Sequence, residues 1–474
     1  MRRTKIVCTI GPASAEEALL RQMLRAGMDV ARLNFSHGDH ASHALYYERL
    51  RRVAREEGAN LAILQDLQGP RLRVGEIASG AVSLAAGQEV TLTSRPIVGN
   101  AQEVPVLAVE LAREVGPGAT VLLDDGQIEL LVLRTSETDV VCRVITGGAL
   151  RSHKGINVPG VTLNVPAITE KDKDDLALGL RLGVDFVAMS FVRSAAELND
   201  LRRLMLQLGG QAPIIAKIEK HEAVARFDEI LAAADGIMVA RGDLGVETSP
   251  EDVPVVQKVV IAKCNAVGKP VITATQMLNS MVENPRPTRA EASDVANAIF
   301  DGTDAVMLSA ETSVGRYPVL TVKMMARIAC KAEEVLPYEA VQGRFSALIR
   351  NDVTDSIGKA TVEMANALDA KAILTMTESG YSARMVARHR SPKPIVAVTP
   401  NAATRRRLAL SWGVSSVLVP RYETVDELLA VAERTAVQSA GASPGDVVIV
   451  TAGLPIGVGG RTNLVKVQTI GEAT

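Results

Sequence analysis

The sequence predicts an α/β protein built on a TIM (β/α)8 barrel, with an inserted all-β domain and a C-terminal open α/β domain. Three observations predict this fold: eight short apolar runs rich in β-branched residues, helical periodicity between most of them, and one long antiparallel interruption. Continuous rather than alternating hydrophobicity is typical of strands that are covered on both faces. A closed parallel sheet is therefore the expected core.

Eight apolar runs, each six or seven residues long, mark the expected barrel strands. They span residues 5–11, 30–36, 61–67, 186–192, 214–219, 236–241, 271–276 and 305–310. Stretches with helical period separate most of them, as at 15–26, 195–208 and 290–300. This spacing is that of βα units, and it predicts a barrel catalytic domain formed by residues 1–69 and 168–345.

One interval, residues 70–167, is too long for a connection within a βα unit. Its short alternating strands are separated by turn sequences such as Pro117-Gly118 and Asp124-Asp125-Gly126, which indicate β-hairpins. Loops that follow barrel strands lie on the catalytic face. The interval therefore predicts an inserted β-barrel domain that acts as a lid over the active site.

A second α/β pattern occupies residues 346–474. Its strand-like runs lie at 372–377, 394–399, 415–419, 446–451 and 464–470, with helical segments between them. This alternation predicts a separate open α/β sheet at the C-terminus.

Composition favours small-molecule partners. The 474 residues carry a formal net charge of −2, which gives no field for gathering nucleic acid or anionic lipid. No run reaches the roughly 18 apolar residues that a membrane-spanning helix needs. The four cysteines lie far apart and form no CxxC pair, which disfavours both a zinc site and a disulfide framework. We expect reduced thiols and a cytoplasmic location, with no nucleic-acid or membrane partner.

The carboxyl ends of barrel strands carry catalysis in this fold, and nearly every predicted strand here ends in polar residues. In strand order they are Arg32, Asn34, Ser36 and His37 on the second, Asp66 on the third, Lys217 and Glu219 on the fifth, Arg241 and Asp243 on the sixth, and Thr275 and Gln276 on the seventh. All carboxyl ends meet at one face of a barrel. The sequence therefore predicts a single polar site there.

Glu219 and Asp243 are expected on adjacent strands, with hard oxygen ligands that point into one space. Such a pair suits Mg²⁺ far better than zinc or copper and leaves coordination positions for substrate oxygens. Arg32, Arg73 and Lys217 supply positive charge around the same space. A phosphoryl group in transfer needs such charge, and loss of one stabilising group typically costs about 3–4 kcal/mol in the barrier.

The segment from Ala240 to Gly245 ends a strand and is expected to open a short helix. Its glycines allow close backbone approach, and free N–H groups at a helix start bind a carboxylate. A substrate that carries both a carboxylate and a phosphate is therefore implied.

These residues also carry a family resemblance that runs nearly from end to end. Six strings look like signatures of the pyruvate kinase family: TKIVCTIGPAS (4–14), RLNFSHG (32–38), KIE (217–219), MVARGDLG (238–245), TATQML (273–278) and TRAEASDVAN (288–297). Their order and spacing match the family. The resemblance implies a glycolytic phosphotransferase that converts phosphoenolpyruvate and ADP to pyruvate and ATP, with Mg²⁺ or the substitute Mn²⁺, in an allosteric homotetramer.

The resemblance also implies a role for individual residues. Glu219 and Asp243 would hold Mg²⁺, and Lys217, Arg32 and Arg73 would stabilise the phosphoryl group. Thr275 would face the enolate carbon, while the N–H groups of Gly242 and Asp243 would hold the substrate carboxylate. The expected substrate site comprises Lys217, Arg241, Gly242, Asp243 and Thr275, and the expected nucleotide contacts are Pro12, His37, Arg73 and Lys154.

One departure from the family concerns potassium. Family members that require this ion resemble one another in a segment reading Asp-Thr-Lys-Gly-Pro-Glu, whereas this chain has Asp66-Leu-Gln-Gly-Pro-Arg71. Arg71 would place a fixed positive charge where a monovalent cation otherwise completes the site. The former monovalent-cation site would comprise Asn34, Ser36, Asp66 and Leu67. The hypothesis is that this enzyme does not require K⁺.

A loop in the C-terminal domain resembles the family's effector loop. Its candidate residues, which follow a strand and precede a helical segment, are Thr375, Thr377, Ser379, Gly380 and Ser382. Hydroxyls and a helix start could cradle a sugar-phosphate or nucleotide effector. Glu378 would repel a phosphate, so a plain strand-to-helix turn is the alternative. The glycine-rich loop at 453–460 is interpreted as a flexible loop.

The sequence alone leaves several alternative interpretations of these residues and of the function. The polar strand ends could form a structural ion-pair network, and Lys154 and Arg73 could be ordinary surface cations. The spacing of His40 and His43 favours a solvated helix face over a metal site. A Mg²⁺-dependent lyase or aldolase that acts on pyruvate or phosphoenolpyruvate is the rival enzyme, and a barrel that only senses metabolites is the non-enzymatic rival.

Overall fold

The computed structural model of the chain describes residues 2–107, 111–338, 352–457 and 460–472. The predicted boundary at residue 345 and part of the 453–460 loop lie outside these residues. The predicted fold class is confirmed: the structure has a closed barrel, additional β-sheets and a C-terminal α/β domain.

The barrel has eight parallel strands, one in each predicted run. They are Lys5–Ile10, Val30–Asn34, Ala62–Asp66, Phe186–Met189, Ile214–Ile218, Gly236–Ala240, Val271–Ala274 and Ala305–Leu308. Each strand pairs with its neighbour in sequence, and the first pairs with the eighth to close the sheet. Each strand ends before its predicted run does, because the last residues leave the ladder to form the loops of the polar site.

Most helices of the barrel cover its outside, and the short helices Arg241–Glu247 and Ala310–Ser313 begin at the carboxyl ends of strands. In chain order the helices are Glu17–Ala26, His40–Glu56, Glu170–Leu182, Ala195–Gln207, His221–Ala225, Phe227–Ala233, Arg241–Glu247, Val253–Val267, Arg289–Asp301, Ala310–Ser313 and Pro318–Glu334, with a 3-10 turn at Asn279–Val282. The main apolar core lies between these helices and the sheet. Two of the longer helices begin with capping boxes, at Thr169 and Thr288, which satisfy the first backbone N–H groups.

The interval after the third strand forms a two-stranded antiparallel sheet and a six-stranded mixed sheet. Their strands are Ala81–Leu84, Glu89–Thr93, Glu103–Pro105, Thr120–Leu123, Ile128–Thr135, Asp139–Thr146, Gly148–Arg151 and Ile156–Asn157. A 3-10 turn at Ala78–Gly80 and the short helix Leu111–Glu114 accompany them. The predicted turn at Asp124–Gly126 joins Thr120–Leu123 to Ile128–Thr135, and these strands pair antiparallel.

The C-terminal domain is a five-stranded open sheet with strands Ala372–Met376, Ile395–Thr399, Val414–Leu418, Val447–Ala452 and Leu464–Thr469. The first four are parallel, and the last is antiparallel at one edge. Helices Val353–Ala367, Tyr381–Ala387, Ala402–Arg407 and Val425–Ala440, and the 3-10 turn Leu408–Leu410, complete the domain. Within the described chain, no helix is both long and apolar enough to cross a membrane.

The C-terminal domain docks on the end of the barrel opposite the polar site. Asp185 and Asp304 each precede a barrel strand, and each accepts a backbone N–H from the neighbouring strand. Asp185 also pairs with Arg406 at 2.7 Å, and Asp304 pairs with Arg390 at 3.2 Å. These ion pairs leave the carboxyl ends of the strands facing the inserted domain.

Candidate active site

An ionic network of four buried side chains lies at the carboxyl ends of the second, third and fifth barrel strands. Arg32 Nε donates to Asp66 Oδ2 at 2.7 Å. Lys217 Nζ lies 3.3 Å from Asp66 Oδ1 and 2.9 Å from Glu219 Oε1. None of these side chains is more than 10% exposed. The structure therefore brings together four of the residues that the sequence placed in one site.

Burial and neighbouring charges set the protonation of this network. Burial alone would raise the pKa of Asp66, but Lys217 and Arg32 outweigh burial and hold that pKa below its ordinary value. Burial would lower the pKa of Lys217, yet Asp66 and Glu219 keep it above that of a free lysine. Burial raises the pKa of Glu219, Lys217 opposes this rise, and Asp243 adds to it. Lys217 is therefore a cation at neutral pH, and Glu219 is the carboxylate whose negative charge is least neutralised by neighbouring cations.

Glu219 and Asp243 fit a hard divalent cation. Glu219 Oε2 accepts the backbone N–H of Phe191 at 2.7 Å, and Oε1 lies 2.9 Å from Lys217 Nζ. The two carboxylates come from neighbouring strands and repel each other electrostatically. An ion such as Mg²⁺ between them would relieve this repulsion.

The supply of protein ligands for such an ion is limited. Across the described residues, no group of three or more Asp, Glu, His and Cys side chains could hold a metal. Two carboxylates alone do not fill the coordination shell of Mg²⁺, which usually keeps several waters and binds substrate phosphates. The donor set therefore suits an ion that is completed by substrate and solvent.

The helix Arg241–Glu247 begins directly after the sixth barrel strand and carries Asp243 in its first turn. Gly242 N donates to Thr275 Oγ1 at 2.7 Å, so the backbone N–H predicted to bind a carboxylate is occupied by a hydroxyl. Thr275 and Gln276 adopt left-handed φ values of 67° and 55°, which are strained for residues with a Cβ. The seventh strand therefore ends in a strained loop that presents Thr275 to Gly242.

Arg241 is bound mainly by the protein. Its Nη1 pairs with Asp294 at 2.7 Å, and its Nη2 donates to the backbone carbonyl of Thr275 at 2.8 Å. The guanidinium thus holds the strained loop in place. A cavity of about 560 Å³, lined among others by Arg241 and Asp243, opens beside it. Lys217 and Glu219 are not among the residues that line this cavity.

A group of cations surrounds His37. Burial lowers the pKa of His37, and the charges of Arg73, Arg32, Arg71 and Lys171 lower it further, in that order. Arg73 is itself close to Arg71, and its Nη1 donates to a backbone carbonyl of the inserted domain at 3.2 Å. This positive field suits the phosphates of a nucleotide.

Two other predicted nucleotide contacts lie in different settings. Lys154 Nζ lies 2.7 Å from Asp124 Oδ1, so both members of that pair belong to the inserted sheets and their turns. Pro12 is exposed in the turn that follows the first barrel strand. The described contacts do not bring these two residues together.

The residues of the predicted monovalent-cation site lie at the ends of the second and third strands, where Asn34 and Asp66 are paired. Asn34 Oδ1 accepts the N–H of Ser36 at 3.2 Å, and the Leu67 carbonyl accepts from Ser190 at 2.7 Å. Both oxygens of Asp66 face cations of the ionic network. These oxygens therefore already have partners within the protein.

Arg71, which the sequence placed at this cation site, points elsewhere. Its Nη2 lies 2.7 Å from Asp125 Oδ1 and 3.8 Å from Asp243 Oδ1. The nearest anionic partners of Arg71 are thus in the inserted domain and in the helix after the sixth strand. The charge of Arg71 neutralises these groups and not Asp66.

Ser190 is a site residue that the sequence reasoning missed. It follows the fourth barrel strand, and its Oγ accepts from Lys217 Nζ at 2.7 Å while donating to the Leu67 carbonyl at 2.7 Å. Ser190 thus fixes the ammonium group between Asp66 and Glu219. The one available signal was its position, because it ends a barrel strand as the other site residues do.

The interpretation of His43 as part of a solvated face is wrong. His43 is buried, stacks on Phe35 with ring centroids 4.0 Å apart, and bonds the His37 carbonyl at 2.8 Å. Burial lowers its pKa. His40 lies one turn away and pairs with Asp175 at 2.8 Å. His43 therefore supports the loop that carries His37.

Only part of the predicted effector loop lines a crevice in the C-terminal domain. Thr377, Ser379 and Ser382 line it together with Glu378, and its volume is about 30 Å³. Thr375 is buried within its strand, and Gly380 takes a left-handed φ of 79° that a residue with a Cβ would resist.

The described part of the late glycine-rich loop lines the same crevice. It contributes Gly457 and Gly460, and it is followed by Arg461, which also lines the crevice. Sequence reasoning missed Arg461 as an anion-binding candidate. The sequence held no local signal for it, because the crevice forms only when two distant loops meet.

Comparison with known proteins shows full-length similarity. A family model described as pyruvate kinase, barrel domain, matches residues 1–322, and one described as pyruvate kinase, alpha/beta domain, matches residues 355–468. A pyruvate kinase of Geobacillus stearothermophilus is 50% identical over 99% of this chain and 81% of its own length. Pyruvate kinase 2 of Synechocystis is 48% identical over 99% of this chain and 79% of its own length. The crystal structure of a pyruvate kinase from Cryptosporidium parvum has a TM-score of 0.94 at 36% identity and covers 99% of this chain and 96% of that one.

Proposed function

The chain belongs to the pyruvate kinase family, and from that premise we propose how its barrel face performs phosphotransfer. Phosphoenolpyruvate and ADP would bind around the Arg32–Asp66–Lys217–Glu219 network, with Mg²⁺ or Mn²⁺ held by Glu219 and Asp243. The observation that carries this proposal is the position of Lys217 Nζ, which lies within 3.3 Å of carboxylate oxygens on two strands. A cation held in this position can stabilise the negative charge of a phosphoryl group during transfer.

In the proposed reaction, the bond between phosphorus and the enolate oxygen breaks, and a new bond forms between phosphorus and a β-phosphate oxygen of ADP. The enolate then gains a proton at carbon and becomes pyruvate. Lys217, Arg32 and Arg73 would stabilise charge on the equatorial phosphoryl oxygens. The bound divalent ion would add further neutralisation of the same charge.

Substrate binding would also change two local contacts. The carboxylate of phosphoenolpyruvate is a stronger acceptor than a hydroxyl, so it would replace Thr275 Oγ1 as the partner of Gly242 N–H. The freed hydroxyl of Thr275 would then face the enolate carbon. Arg241 would keep the loop in place through Asp294 throughout.

The inserted domain would act as the lid and bring Lys154 to the nucleotide phosphates, beside Pro12 and His37. Lys154 now pairs with Asp124, an anion that the phosphates would replace. The proposed division assigns chemistry to residues 1–69 and 168–345, lid closure to residues 70–167 and effector binding to residues 346–474. Family resemblance further supports a cytoplasmic homotetramer, for which light scattering of purified enzyme is the test.

K⁺ independence is a separate part of the proposal. Asp66, whose carboxylate would ligate a monovalent cation, already faces Arg32 and Lys217. Arg71 adds a fixed charge near Asp243. Protein cations therefore already supply positive charge in this region.

Effector binding in the C-terminal crevice is supported by hydroxyls from Thr377, Ser379 and Ser382 together with the guanidinium of Arg461. A sugar phosphate or a nucleotide would be held by its phosphate there. The test is activation of the wild-type enzyme and of an Arg461→Met variant by a panel of both ligand types. Equal activation of the two enzymes would contradict this assignment.

The experiment that tests the proposed reaction follows pyruvate and ATP formation from phosphoenolpyruvate. We expect product formation only when ADP and Mg²⁺ are both present, with loss of activity on chelation and recovery on adding Mg²⁺ or Mn²⁺. A lyase would consume phosphoenolpyruvate without ADP, and a sensing barrel would not consume it at all. Either result would overturn the proposal.

A further inference from the structure

Glu247 lies at a junction of three elements that the proposed reaction does not use. It ends the helix Arg241–Glu247, and its side chain is 0% exposed. Its Oε1 accepts from Asn157 Nδ2 at 2.6 Å and from Lys220 Nζ at 2.8 Å. Asn157 ends the inserted sheet, and Lys220 directly follows Glu219. One buried oxygen therefore joins the inserted domain to both segments that carry the proposed metal ligands.

The contact to Asn157 reaches the tip of the inserted domain. The strand Ile156–Asn157 pairs antiparallel with Thr120–Leu123, which leads directly into Asp124. Asp124 in turn pairs with Lys154, three residues before Asn157. Because Lys154 and Asn157 lie on one short segment that runs beside this strand, a group that fixes Asn157 also limits where Lys154 can lie.

The chemistry of this junction favours a carboxylate at position 247. Lys220 is only 15% exposed, so its charge needs a nearby anion, and hydrogen bonds to a carboxylate are stronger than those to a neutral amide. Removal of one partner of a buried pair leaves the other charge uncompensated. A glutamine would keep the shape of the side chain but would lose this charge.

We propose that Glu247 is a positioning residue that sets the inserted domain against the metal carboxylates and thereby sets the affinity for ADP. This inference rests on the proposed contact between Lys154 and the nucleotide. Glu247 makes no described contact with Lys217 or Asp66, so the phosphoryl site would keep its geometry in a variant. Affinity for ADP therefore depends on Glu247 more than turnover or affinity for phosphoenolpyruvate does.

Steady-state kinetics of the full-length Glu247→Gln enzyme with saturating Mg²⁺ test this inference. We expect KM for ADP to rise about fivefold or more, with kcat and KM for phosphoenolpyruvate changed less than about twofold. Asp228→Asn is the matched control, because this exposed carboxylate also pairs with a lysine, Lys263, at 2.6 Å and lies on an outer barrel helix. The control should leave all three parameters unchanged.

A second variant keeps the inference falsifiable if Glu247→Gln folds poorly. Asn157→Ala should raise KM for ADP in the same way, and the double variant should be no worse than the worse single variant, because both changes weaken the same contact between residues 157 and 247. Additive effects, or a lower kcat with unchanged KM for ADP, would overturn the inference. Lys154→Met distinguishes failure of the Glu247 inference from failure of the proposed contact between Lys154 and the nucleotide. If Lys154→Met raises KM for ADP while Glu247→Gln does not, only the role of Glu247 fails. If Lys154→Met is silent as well, the proposed nucleotide contact fails.

Discussion

Lys217 Nζ lies 2.9 Å from Glu219 Oε1, a contact that the spacing favours because side chains two residues apart along a strand point to the same face. Glu219 directly follows the last residue of the strand, Ile218, and lies on the same side as Lys217. An ammonium group that neutralises a carboxylate proposed to bind the metal can also contact a phosphoryl group. The proposed chemistry depends on this arrangement.

Replacement of Lys217 by methionine should lower kcat by about two to three orders of magnitude, because the phosphoryl group loses a positioned cation. Binding of Mn²⁺ should persist or tighten, since Glu219 loses a competing cation. Steady-state kinetics and metal titration measure the two effects. Lys173→Met is the control, because Lys173 is an exposed lysine paired with Glu170 on a barrel helix. A Lys217→Met enzyme with wild-type kcat would contradict the assignment.

Asp66→Asn should destabilise the barrel as well as abolish efficient catalysis. Arg32 and Lys217 would then be two buried cations without the carboxylate that separates them. Loss of one partner from a buried ion pair typically costs about 3–5 kcal/mol. Chemical denaturation followed by circular dichroism measures this loss. Unchanged stability would show that solvent, and not Asp66, compensates the two cations.

The wild-type enzyme should be almost fully active with tetramethylammonium as the only monovalent cation. Arg71→Glu should introduce activation by K⁺, because it removes the fixed charge near Asp243 and adds an anion. Arg71→Gln separates the two effects, since it removes the charge without adding an anion. Initial rates over a KCl series measure the response. Strong activation of the wild type by K⁺ would reject K⁺ independence.

Stability of the C-terminal domain should fall as the pH drops below about 6.5. Burial and the adjacent Arg388 lower the pKa of His389 from 6.5 to about 4. Between these two values the unfolded chain binds a proton that the folded chain does not, so stability is full above pH 6.5 and is lost toward pH 4. Between pH 7.5 and pH 5 the loss should be about 2 kcal/mol.

Fluorescence of Trp412 measures this loss. It is the chain's only tryptophan, and its ring lies 4.7 Å from the guanidinium of Arg390, the residue after His389. His389→Gln should weaken the pH dependence of the urea midpoint, even though it also loses the contact with Asp355. An identical pH dependence in the variant would show that other groups cause it.

The fold and much of the site could be predicted because local chemistry determines them. Each barrel strand was recognisable from continuous hydrophobicity, and the polar residue at its end, such as Asp66 or Lys217, followed from the fold. Glu219 and Asp243 are near each other because parallel strands of a barrel share one carboxyl end.

The remaining features depend on contacts between distant segments. Nothing next to Ser190 in the sequence indicates a site residue, and only the fold places it beside Lys217. His43 is polar in sequence but is covered by Phe35. The direction of Arg71 is set by Asp125, which lies 54 residues further along the chain. The periodicity and spacing of the sequence do not indicate these contacts, because the two residues of each pair lie 8 to 54 residues apart in the chain.

The most direct test of the central claim is Mn²⁺ binding, measured by electron paramagnetic resonance in the presence of phosphoenolpyruvate. Glu219→Gln and Asp243→Asn should each weaken Mn²⁺ binding at least about tenfold, while Asp228→Asn, a change of an exposed carboxylate on an outer helix, should bind the ion like the wild type. If both carboxylate variants retained wild-type affinity for Mn²⁺, these two residues would not hold the metal and the proposed site would be wrong.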